Sequence, residues 1–442
     1  MKNILVLGSG GREHALGWNL KDYNDGNPEG WSRIHFMPGN GGTAEHPWGK
    51  NVAIDPTKAE NHLKILEYAI CEHIDLVVVG PETPLARGIV NFFQANNFPN
   101  IFGPTACAAE LESDKFRSYD IMNATRIPQA RGFKCYTAAE ALRAIDSITA
   151  LPQAAPGVVI KAKGLAGGKG VRVCTTNEQA QSELEEHVKE FGEQVLISER
   201  LQGPEFSIFG LSDGTHVLPL EIAVQDHKRL LDGNNGPNTG GMGAYGPVPF
   251  VSRELIENIG REILTPTVQY MNQERCPYVG FIYAGMMMTK QGPKVLEFNC
   301  RLGDPETQVL AMLLKTSLYE PIMLALKGKV NEAVIEYNSG AAVCVVLASK
   351  GYPSSNITNG LPIFGLETTD SQPGTKVFHA GTKRDKEKIL TNGGRVLGVT
   401  ALSSDLGDSN LNYANAQEAA YKAVNALKIE GGFAYRKDIG SI

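Results

Sequence analysis

The segment KVLEFNCR, residues 294–301, carries an acid, an amide and an arginine at alternate positions. In a β-strand every second side chain shares a face, so Glu297, Asn299 and Arg301 are predicted to point the same way. Carboxylate and amide oxygens suit Mg²⁺ when phosphates and water complete its shell, and arginine binds phosphate through two N–H groups. The spacing predicts a metal and phosphate site, with a solvent-facing polar edge as the alternative. The next residues, Asp304–Glu306, equally fit a helix start with proline at its first position.

A glycine loop with a lysine, GLAGGKG at residues 164–170, lies between two β-rich runs. It is not a Walker A loop, which would need glycine at Lys163 and Ser or Thr at Gly170. A flexible glycine loop still folds over a triphosphate when its N–H groups and a lysine, here Lys169, meet the negative charge. Lys161 precedes the loop on a strand and is predicted to reach a nearer phosphate. The alternative is a plain hairpin, which needs fewer glycines.

The first apolar run ends in the turn GSGGREH, residues 8–14, and a helix follows. Free N–H groups at a helix start bind anions, so the turn predicts a phosphate site with Arg12 beside it. A dinucleotide is disfavoured, because the GxGxxG fingerprint needs glycine where the chain has Glu13 and the second strand lacks an acid for the ribose. A smaller phosphorylated ligand fits better, and a purely structural turn is the alternative.

The segment GPNTGGMGAYGPVP, residues 236–249, holds five glycines and three prolines. This composition predicts neither an ordinary strand nor a helix but a specialised loop over a ligand. The preceding cluster QDHKR contains Asp226 and Lys228, which would orient a small zwitterion. A solvated charged face is equally compatible with the cluster.

Three domains are expected from 442 residues, at roughly 150 residues per domain. In residues 1–113, apolar runs alternate with glycine turns and helices, which predicts a parallel sheet covered on both faces with ligands beyond the carboxyl ends of its strands. Residues 114–328 hold the glycine loops and include a lid at about 123–200. In residues 329–442, strands with Gly/Pro turns precede an Ala-rich helix. The predicted class is therefore multidomain, α/β and α+β.

Composition excludes several classes of protein. The net charge is −6 without any basic block, so no nucleic-acid partner is expected. The longest apolar stretch, residues 341–348, is far shorter than the roughly 20 residues that span a bilayer, and the N-terminus lacks the pattern of a signal peptide. A cytoplasmic protein without membrane partners, and without a fused module after Ile442, is expected. The seven cysteines are scattered without a CxxC pair, which predicts reduced core residues rather than disulfides or zinc.

Several segments together resemble one family. In chain order they are GSGGREHAL, GPETPL, IFGPTA, IKAKGLAGGKGV, QDHKR, GPNTGGMGAY and EFNCRLGDPETQ, with KVFHAGT and GGRVLGVTA near the C-terminus. They resemble the phosphoribosylamine–glycine ligases, or glycinamide ribonucleotide synthetases. The resemblance implies an ATP-grasp fold with a Rossmann-like N-terminal domain. It also implies ligation of glycine to 5-phosphoribosylamine through glycyl phosphate, the second step of purine biosynthesis, with ATP and Mg²⁺ or Mn²⁺. A monomer or weak homodimer is expected.

The resemblance further implies roles for individual residues. The metal ligands would be Glu297 and Asn299. The residues expected to bind ATP are Lys115, Lys161, Gly167, Gly168, Lys169, Glu199, Leu201 and Glu205. The residues expected to bind the other substrates are Gly10, Gly11, Arg12, Glu13, His14, Gly80, Pro81, Glu82, Gly240 and Gly241. The candidates for a part in catalysis are Arg301, Asp226 and Lys228.

Two departures from the family pattern stand out. Where the family often has IKADGLAAGKG, Lys163 replaces the acid and Gly167 an alanine, which predicts a more basic and more mobile lid loop. Many ATP-grasp enzymes also place a metal carboxylate upstream of EFN, where FIYAGMMM offers only Ala284 and Met286. The rival functions are another ATP-grasp ligase or carboxylase, a nucleotide-sensing binding protein and, least favoured, a nicotinamide oxidoreductase.

Overall fold

The computed structural model describes residues 1–23, 30–43, 47–151, 155–167, 169–403 and 409–441. Gly168, one of the predicted ATP-binding residues, lies outside these ranges. The chain folds into helices and several separate sheets, which confirms the predicted multidomain α/β class. Within the described ranges, no helix has both the length and the apolar character needed to cross a bilayer.

The N-terminal residues form a five-stranded parallel sheet with strand order β3-β2-β1-β4-β5, as the sequence predicts. Alternate residues of β1, such as Leu5 and Val6, enter separate hydrophobic cores on the two faces of the sheet. The central pair β1 and β4 brings the carboxyl ends of both strands together, with Leu7 opposite Val79. The elements are β1 (Asn3–Gly8), α1 (Gly11–Leu20), β2 (Arg33–Pro38), β3 (Gly49–Asn51), α2 (His62–Cys71), β4 (Leu76–Val79), α3 (Glu82–Ala86), α4 (Ile89–Ala95), β5 (Ile101–Phe102) and α5 (Ala106–Ser113).

The next segment forms an antiparallel sheet of its own, in the order β6-β9-β7-β8. Two helices pack on it, and Ile145, Ile160 and Leu184 lie in their shared core. This small separate core makes the segment a distinct layer over the rest of the molecule. Its elements, with the helix that leads into it, are α6 (Lys115–Ala124), β6 (Gly132–Cys135), α7 (Ala138–Thr149), β7 (Val158–Ala162), β8 (Val171–Cys174), α8 (Asn177–Phe191) and β9 (Val195–Glu199).

A second antiparallel sheet, in the order β11-β10-β16-β17, faces this layer. In the β16–β17 hairpin, Glu297 lies opposite Gly285 and Asn299 opposite Tyr283. The register shifts next to this pair, so Leu296 is an extra, bulged residue. The elements are β10 (Glu205–Asp213), β11 (Val217–Pro219), β12 (Gln225–Asp226), β13 (Arg229–Leu231), β14 (Asn235–Asn238), β15 (Gly243–Gly246), α9 (Arg253–Ile259), α10 (Thr265–Gln273), β16 (Val279–Thr289), β17 (Gly292–Asn299), α11 (Glu306–Leu313) and α12 (Tyr319–Leu326).

The C-terminal residues form an α+β unit whose main sheet has the order β12-β15-β18-β23-β20. Helix α14 packs on β18 and β23 through Ala416, Ala420 and Val424. A second small sheet has the order β21-β22-β19-β24. The elements are β18 (Ala341–Ser349), β19 (Pro362–Phe364), α13 (Leu366–Asp370), β20 (Thr375–His379), β21 (Thr382–Asp385), β22 (Lys388–Thr391), β23 (Arg395–Ser403), α14 (Ser409–Ala426), β24 (Lys428–Ile429) and β25 (Phe433–Ala434).

The prediction that residues 236–249 form no strand is wrong. Strands β14 and β15 lie within this segment, and β15 pairs with β18 of the C-terminal unit. The glycines permit the pairing, because a Cβ at Gly243, where φ is +156°, would lie 2.6 Å from the Cys344 carbonyl oxygen. The segment is therefore bound into a sheet by close backbone approach.

The prediction that all the cysteines are reduced core residues is also wrong. Cys107 in α5 and Cys276, shortly after α10, form a disulfide with Cα atoms 6.0 Å apart. Of the five free cysteines, Cys71 is exposed and the others are buried. The paired residues lie 169 positions apart, so the three-dimensional fold and not the local sequence brings them together.

Candidate active site

A cleft lies between the sheet of β6 to β9 and strand β17. Lys115, Lys161 and Glu297, all predicted from the sequence, line it together. Lys115 Nζ lies 3.1 Å from Glu297 Oε2, and Lys161 Nζ donates to the Leu296 carbonyl oxygen at 2.8 Å. The bulge at Leu296 turns this carbonyl toward the lysine, so the cleft gathers charged groups from helix α6 and strands β7 and β17.

The charges in this cleft are strongly coupled. Burial works against the charged form of Glu297, but Lys115, Lys228 and Lys161 outweigh it and lower the pKa of its carboxyl to about 2. Burial lowers the pKa of Lys161 to about 8, although Glu297 opposes the shift. One carboxylate among three lysines leaves a surplus of positive charge, which suits a polyphosphate.

The donor atoms of strand β17 suit a hard divalent cation. Glu297 supplies an ionised carboxylate, and the buried Asn299 supplies an amide two residues further along the same strand. The position opposite Glu297 is Gly285, so β16 adds no side-chain ligand there. Among the described residues, no group of three or more His, Cys, Asp or Glu side chains could hold a metal. Two protein oxygens suit Mg²⁺ when phosphates and waters fill its other positions, so the residues fit the predicted metal.

Arg301 is already bound by two carboxylates. Its Nε donates to Glu82 Oε2 at 3.2 Å and its Nη2 donates to Glu112 Oε1 at 2.8 Å. These partners come from α3 and α5, so Arg301 joins the end of strand β17 to the N-terminal unit. Burial opposes its charge, but Glu112 and Glu82 more than offset it and raise the pKa of Arg301.

A second, smaller cavity is lined by the predicted residues Glu205, Asp226 and Lys228. Lys228 Nζ donates to Glu205 Oε2 at 2.8 Å, whereas Asp226 Oδ1 is buried without a hydrogen-bond partner. Burial, and then the neighbouring Glu306, raise the pKa of Asp226 well above its usual range. Lys228 and Arg395 oppose this shift in pKa but are outweighed, and Asp226 Oδ1 is left as a buried acceptor without a donor.

The first turn of the chain folds around Glu13. Gly10 N–H donates to Glu13 Oε2 at 2.6 Å, and Arg12 Nε donates to Oε1 at 2.8 Å. A Cβ on either Gly8 or Gly80 would lie 2.4 Å from Glu13 Cγ, so both strand ends need glycine. Pro81 and Glu82 then begin α3 beside this turn, and the two predicted substrate segments lie together.

Gly240 and Gly241 lie where three parts of the chain meet. Arg395 Nη1 donates to the carbonyl oxygens of Gly240, at 2.5 Å, and Asp304, at 2.6 Å. A Cβ on Gly241 would lie 2.6 Å from Asp226 Oδ1. The glycines thus allow the loop to approach the second cavity closely.

Other predicted residues lie further from these cavities. Gly167 and Lys169 are exposed on the hairpin that joins β7 and β8. Glu199 lies 3.6 Å from Lys294 Nζ and accepts a hydrogen bond from Arg131 N–H, and Leu201 is half-buried just beyond it. His14 faces the C-terminal unit, where its Nδ1 accepts the His379 N–H at 3.0 Å.

Models of one family match most of the chain. The N domain of phosphoribosylglycinamide synthetase matches residues 2–112, its ATP-grasp (A) domain 113–307 and its C domain 342–442. The chain belongs to the phosphoribosylglycinamide synthetase family. This confirms the recognition made from the sequence and the prediction of a ligase of purine biosynthesis.

Curated relatives of this synthetase family agree over nearly the whole chain. The phosphoribosylamine–glycine ligases of Rhodopirellula baltica and Escherichia coli are each 41% identical, over 99% of this chain and 97% of theirs. The trifunctional purine biosynthetic protein adenosine-3 of Gallus gallus is 43% identical over 99% of this chain. The chain spans only 42% of that longer protein.

Solved structures show the same fold. The phosphoribosylamine–glycine ligase of Thermotoga maritima superimposes with a TM-score of 0.79 at 33% identity, covering 99% of both chains. The biotin carboxylase domain of the Hydrogenobacter thermophilus 2-oxoglutarate carboxylase, solved with MgADP and bicarbonate, has a TM-score of 0.70 at 15% identity and covers 98% of this chain. The second likeness concerns the fold alone, and both confirm the ATP-grasp architecture.

Sequence reasoning about this synthetase missed several residues of the site. Ser207 Oγ donates to Glu306 Oε1 at 3.1 Å and lies 2.9 Å from the Tyr283 hydroxyl oxygen, beside the second cavity. Glu112 binds Arg301 from 189 positions away. Only Tyr283 had a local signal, since strand alternation places it two residues before Gly285 on the same face.

Proposed function

We propose that the protein ligates glycine to 5-phosphoribosylamine, giving glycinamide ribonucleotide, with conversion of ATP to ADP and phosphate. The observation that carries the proposal is the ionised Glu297, surrounded by three lysines and followed by Asn299 on one strand. This arrangement combines hard oxygen ligands with positive charge for a triphosphate. The relatives named phosphoribosylamine–glycine ligase support the choice of substrates.

Glycine's carboxylate is a poor acyl donor, so we propose that it first attacks the γ-phosphorus of ATP. The new P–O bond replaces the bond to the leaving ADP and gives glycyl phosphate. Lys161 and Lys115 bind the phosphates, and closure of the exposed loop around Lys169 brings further charge and excludes water. Glu297 and Asn299 hold Mg²⁺ or Mn²⁺, which neutralises phosphate charge when bound.

The second cavity is the proposed glycine site. Glycine's ammonium supplies the hydrogen-bond donor that Asp226 Oδ1 lacks, and its carboxylate faces Lys228. Strand β12 carries Asp226 at its end, and the loop at Gly241 leaves it room. The cavity lies beside Glu297 through Gly285, so the acyl group is activated next to the triphosphate.

Phosphoribosylamine is placed at the turn around Gly10 and Arg12 and at the start of α3. The first turn of α1, which follows β1, offers its helix N-terminus to an anion, with Arg12 nearby. The neutral amine of phosphoribosylamine attacks the carbonyl carbon of glycyl phosphate and forms a C–N bond. Phosphate leaves with the electrons of the acyl C–O bond, and the nitrogen loses a proton. Catalysis depends on positioning, and no covalent enzyme intermediate is required.

The same proposal includes domain boundaries at residues 113/114 and 328/329. It also includes a cytoplasmic location and a monomer or weak homodimer. The matched family segments at 2–112 and 113–307 support the first boundary. Sedimentation of the purified protein over a range of concentrations tests the oligomeric state.

An assay of ADP release with substrates omitted in turn tests the reaction. Full release should need both glycine and phosphoribosylamine, and ¹⁸O from glycine's carboxylate should appear in phosphate. Release that depends on bicarbonate without glycine would instead indicate a carboxylase, and label found only in the amide product would exclude glycyl phosphate.

Substitution of Glu297 tests the metal site. Glu297→Ala should lower kcat by at least about 10²- to 10³-fold, as expected for loss of one electrostatic stabiliser. Glu193→Ala, an exposed acid of the lid, is the matched control and should keep the parent rate. Near-normal turnover of the Glu297 variant at saturating Mg²⁺ would contradict the assignment.

A further inference from the structure

One buried carboxylate binds three consecutive residues at the end of strand β17, which carries the proposed metal ligands. Glu112, the second-last residue of α5, is 4% exposed. Its Oε2 accepts the Cys300 N–H at 2.8 Å and the Cys300 thiol at 3.1 Å, and its Oε1 accepts Arg301 Nη2 at 2.8 Å. Glu112 lines neither of the two cavities described above, so it would act through its neighbours.

The third neighbour is Asn299. Its carboxamide satisfies its surroundings in one orientation only, with the nitrogen donating to Glu112 Oε1 at 2.8 Å and to the Phe298 carbonyl oxygen at 3.3 Å. The other amide position faces only hydrogen-bond donors, as an oxygen requires. The carboxylate thus determines which atom of Asn299 points away from it.

We propose that Glu112 is a positioning residue that fixes the Asn299 carboxamide so that its oxygen is presented as a ligand to the divalent cation. The inference rests on the proposed function of Glu297 and Asn299 as the metal site. An amide turned the other way would present an NH₂ group, which repels a cation and donates no lone pair. Partners behind the ligands commonly set the orientation of a metal site.

Arg301 explains why an acid is tolerated in this place. Its guanidinium pairs with both Glu112 and Glu82, which offsets the charge that burial would otherwise penalise. A glutamine at residue 112 keeps the size of the side chain but presents a donor where all its neighbours are donors. The Asn299 carboxamide would then no longer be held in one orientation by a carboxylate.

Binding of Mn²⁺ in the presence of ADP, followed by electron paramagnetic resonance, tests the inference without turnover. Glu112→Gln should weaken Mn²⁺ binding by about 10- to 100-fold, the usual effect of losing an outer partner of a metal ligand. Glu110→Gln removes the same charge from an exposed position on the same helix and should bind Mn²⁺ as the parent does. Equal affinity of Glu112→Gln and the parent would overturn the inference.

A double-mutant comparison shows whether Glu112 acts through Asn299. In an Asn299→Ala background, Glu112→Gln should have no further effect on Mn²⁺ binding, whereas independent effects would multiply. Multiplying effects would show that Glu112 acts by another route and would overturn the inference.

A second variant keeps the question open to test if Glu112→Gln does not fold. Asn299→Asp presents an oxygen in either orientation, and combined with Glu112→Gln it keeps one acid and one amide in the pair. Because no amide then needs to be oriented, Glu112→Gln in the Asn299→Asp background should leave Mn²⁺ binding unchanged. A loss of about 10-fold or more in that background would overturn the inference.

Glu297→Gln in the same assay separates the two proposals. Loss of Mn²⁺ binding in Glu297→Gln, with parent affinity in Glu112→Gln, leaves the metal site standing and rejects the role of Glu112. Unchanged binding in Glu297→Gln rejects the metal assignment, and the inference about Glu112 with it.

Discussion

At the scale of single residues, the lysines around Glu297 determine how the cleft responds to pH. Lys161 is buried, and its pKa of about 8 lies below the ordinary lysine value. Because the triphosphate is an anion, its binding favours the charged form and raises this pKa again. Nucleotide binding is therefore coupled to protonation of one identified amine.

We expect ATP binding to take up a proton at alkaline pH. At pH 8 about half of the free enzyme has a neutral Lys161, so about 0.5 proton should be taken up per nucleotide. Between pH 8 and 9 the affinity should fall by about fivefold, because the fraction of free enzyme with a protonated Lys161 falls from about one half to about one eleventh. Calorimetry in two buffers of different ionisation enthalpy measures the uptake.

Lys161→Met should abolish this proton uptake, and Lys290→Met, which changes an exposed lysine of the β16–β17 turn, should leave it unchanged. Uptake that persists in Lys161→Met would assign the titration to another group.

Residue types and spacing were sufficient to predict that Glu297 and Asn299 lie on one face of a strand, because strand alternation is a local property. The same reasoning assigned Arg301 to phosphate, but its guanidinium is engaged by Glu82 and Glu112. Those acids lie on α3 and α5, far away in the chain. No local pattern contains such a pairing.

At the scale of elements, the glycine-rich segment shows how composition misleads. Glycine and proline disfavour strands in general, yet β15 needs glycine to approach β18 closely. The parallel sheet of the N-terminal unit was predictable because each of its strands is a continuous apolar run. Strand β15 needs positions without a side chain, and the absence of side chains leaves no apolar pattern that predicts a strand.

Gly241→Ala should impair use of glycine. The new Cβ would lie 2.5 Å from Pro305 Cδ and 2.6 Å from Asp226 Oδ1, so the acid must move. A displacement of this kind should lower kcat/KM for glycine by about 10- to 100-fold. Steady-state kinetics with glycine as the varied substrate measures the effect.

Gly233→Ala is the matched control in the same region. This residue also has positive φ, but a Cβ there meets only Asn235 Nδ2, at 3.2 Å. Both variants should lose about 1 kcal/mol of stability from the strained backbone, while only Gly241→Ala loses activity. Equal kinetic losses would trace the effect to strain and not to Asp226.

A buried arginine near the C-terminus anchors the loop that follows Lys228. Arg436 is 1% exposed, pairs with Asp438, and donates to Asn234 Oδ1 and to the Arg229 carbonyl oxygen. Arg436→Met should lower the free energy of unfolding by about 1–3 kcal/mol, because Asp438, Asn234 and the Arg229 carbonyl lose a charged hydrogen-bond donor. Urea denaturation measures the loss.

Lys437→Met is the control for this change, because the Lys437 contact is made by its backbone N–H to Asp232 and survives the substitution. Parent-like stability of Arg436→Met would show that the loop does not depend on the buried arginine.

At the scale of the whole molecule, a disulfide and a shared sheet join parts that are distant in sequence. Cys107 and Cys276 connect the N-terminal unit to the helices of the ATP-grasp segment. The scattered cysteines gave no pairing signal, because spacing alone never defines which residues meet in three dimensions.

Thiol titration should find five reactive cysteines in the denatured, unreduced chain and all seven after reduction. Closure of a loop with a separation of 169 residues should contribute up to about 5 kcal/mol to the free energy of unfolding. Cys107→Ser should lose this contribution even without a reductant. Seven thiols before reduction would show that the pair is not oxidised.

The proposed glycine site depends on residues made late in protein synthesis. Strand β12 pairs with β15, and β15 takes its other partner, β18, from residues 341–349. On the ribosome, Asp226 and Gly241 therefore emerge long before the strand that holds them, and a prematurely terminated chain lacks a formed amino-acid pocket even if its nucleotide cleft has folded.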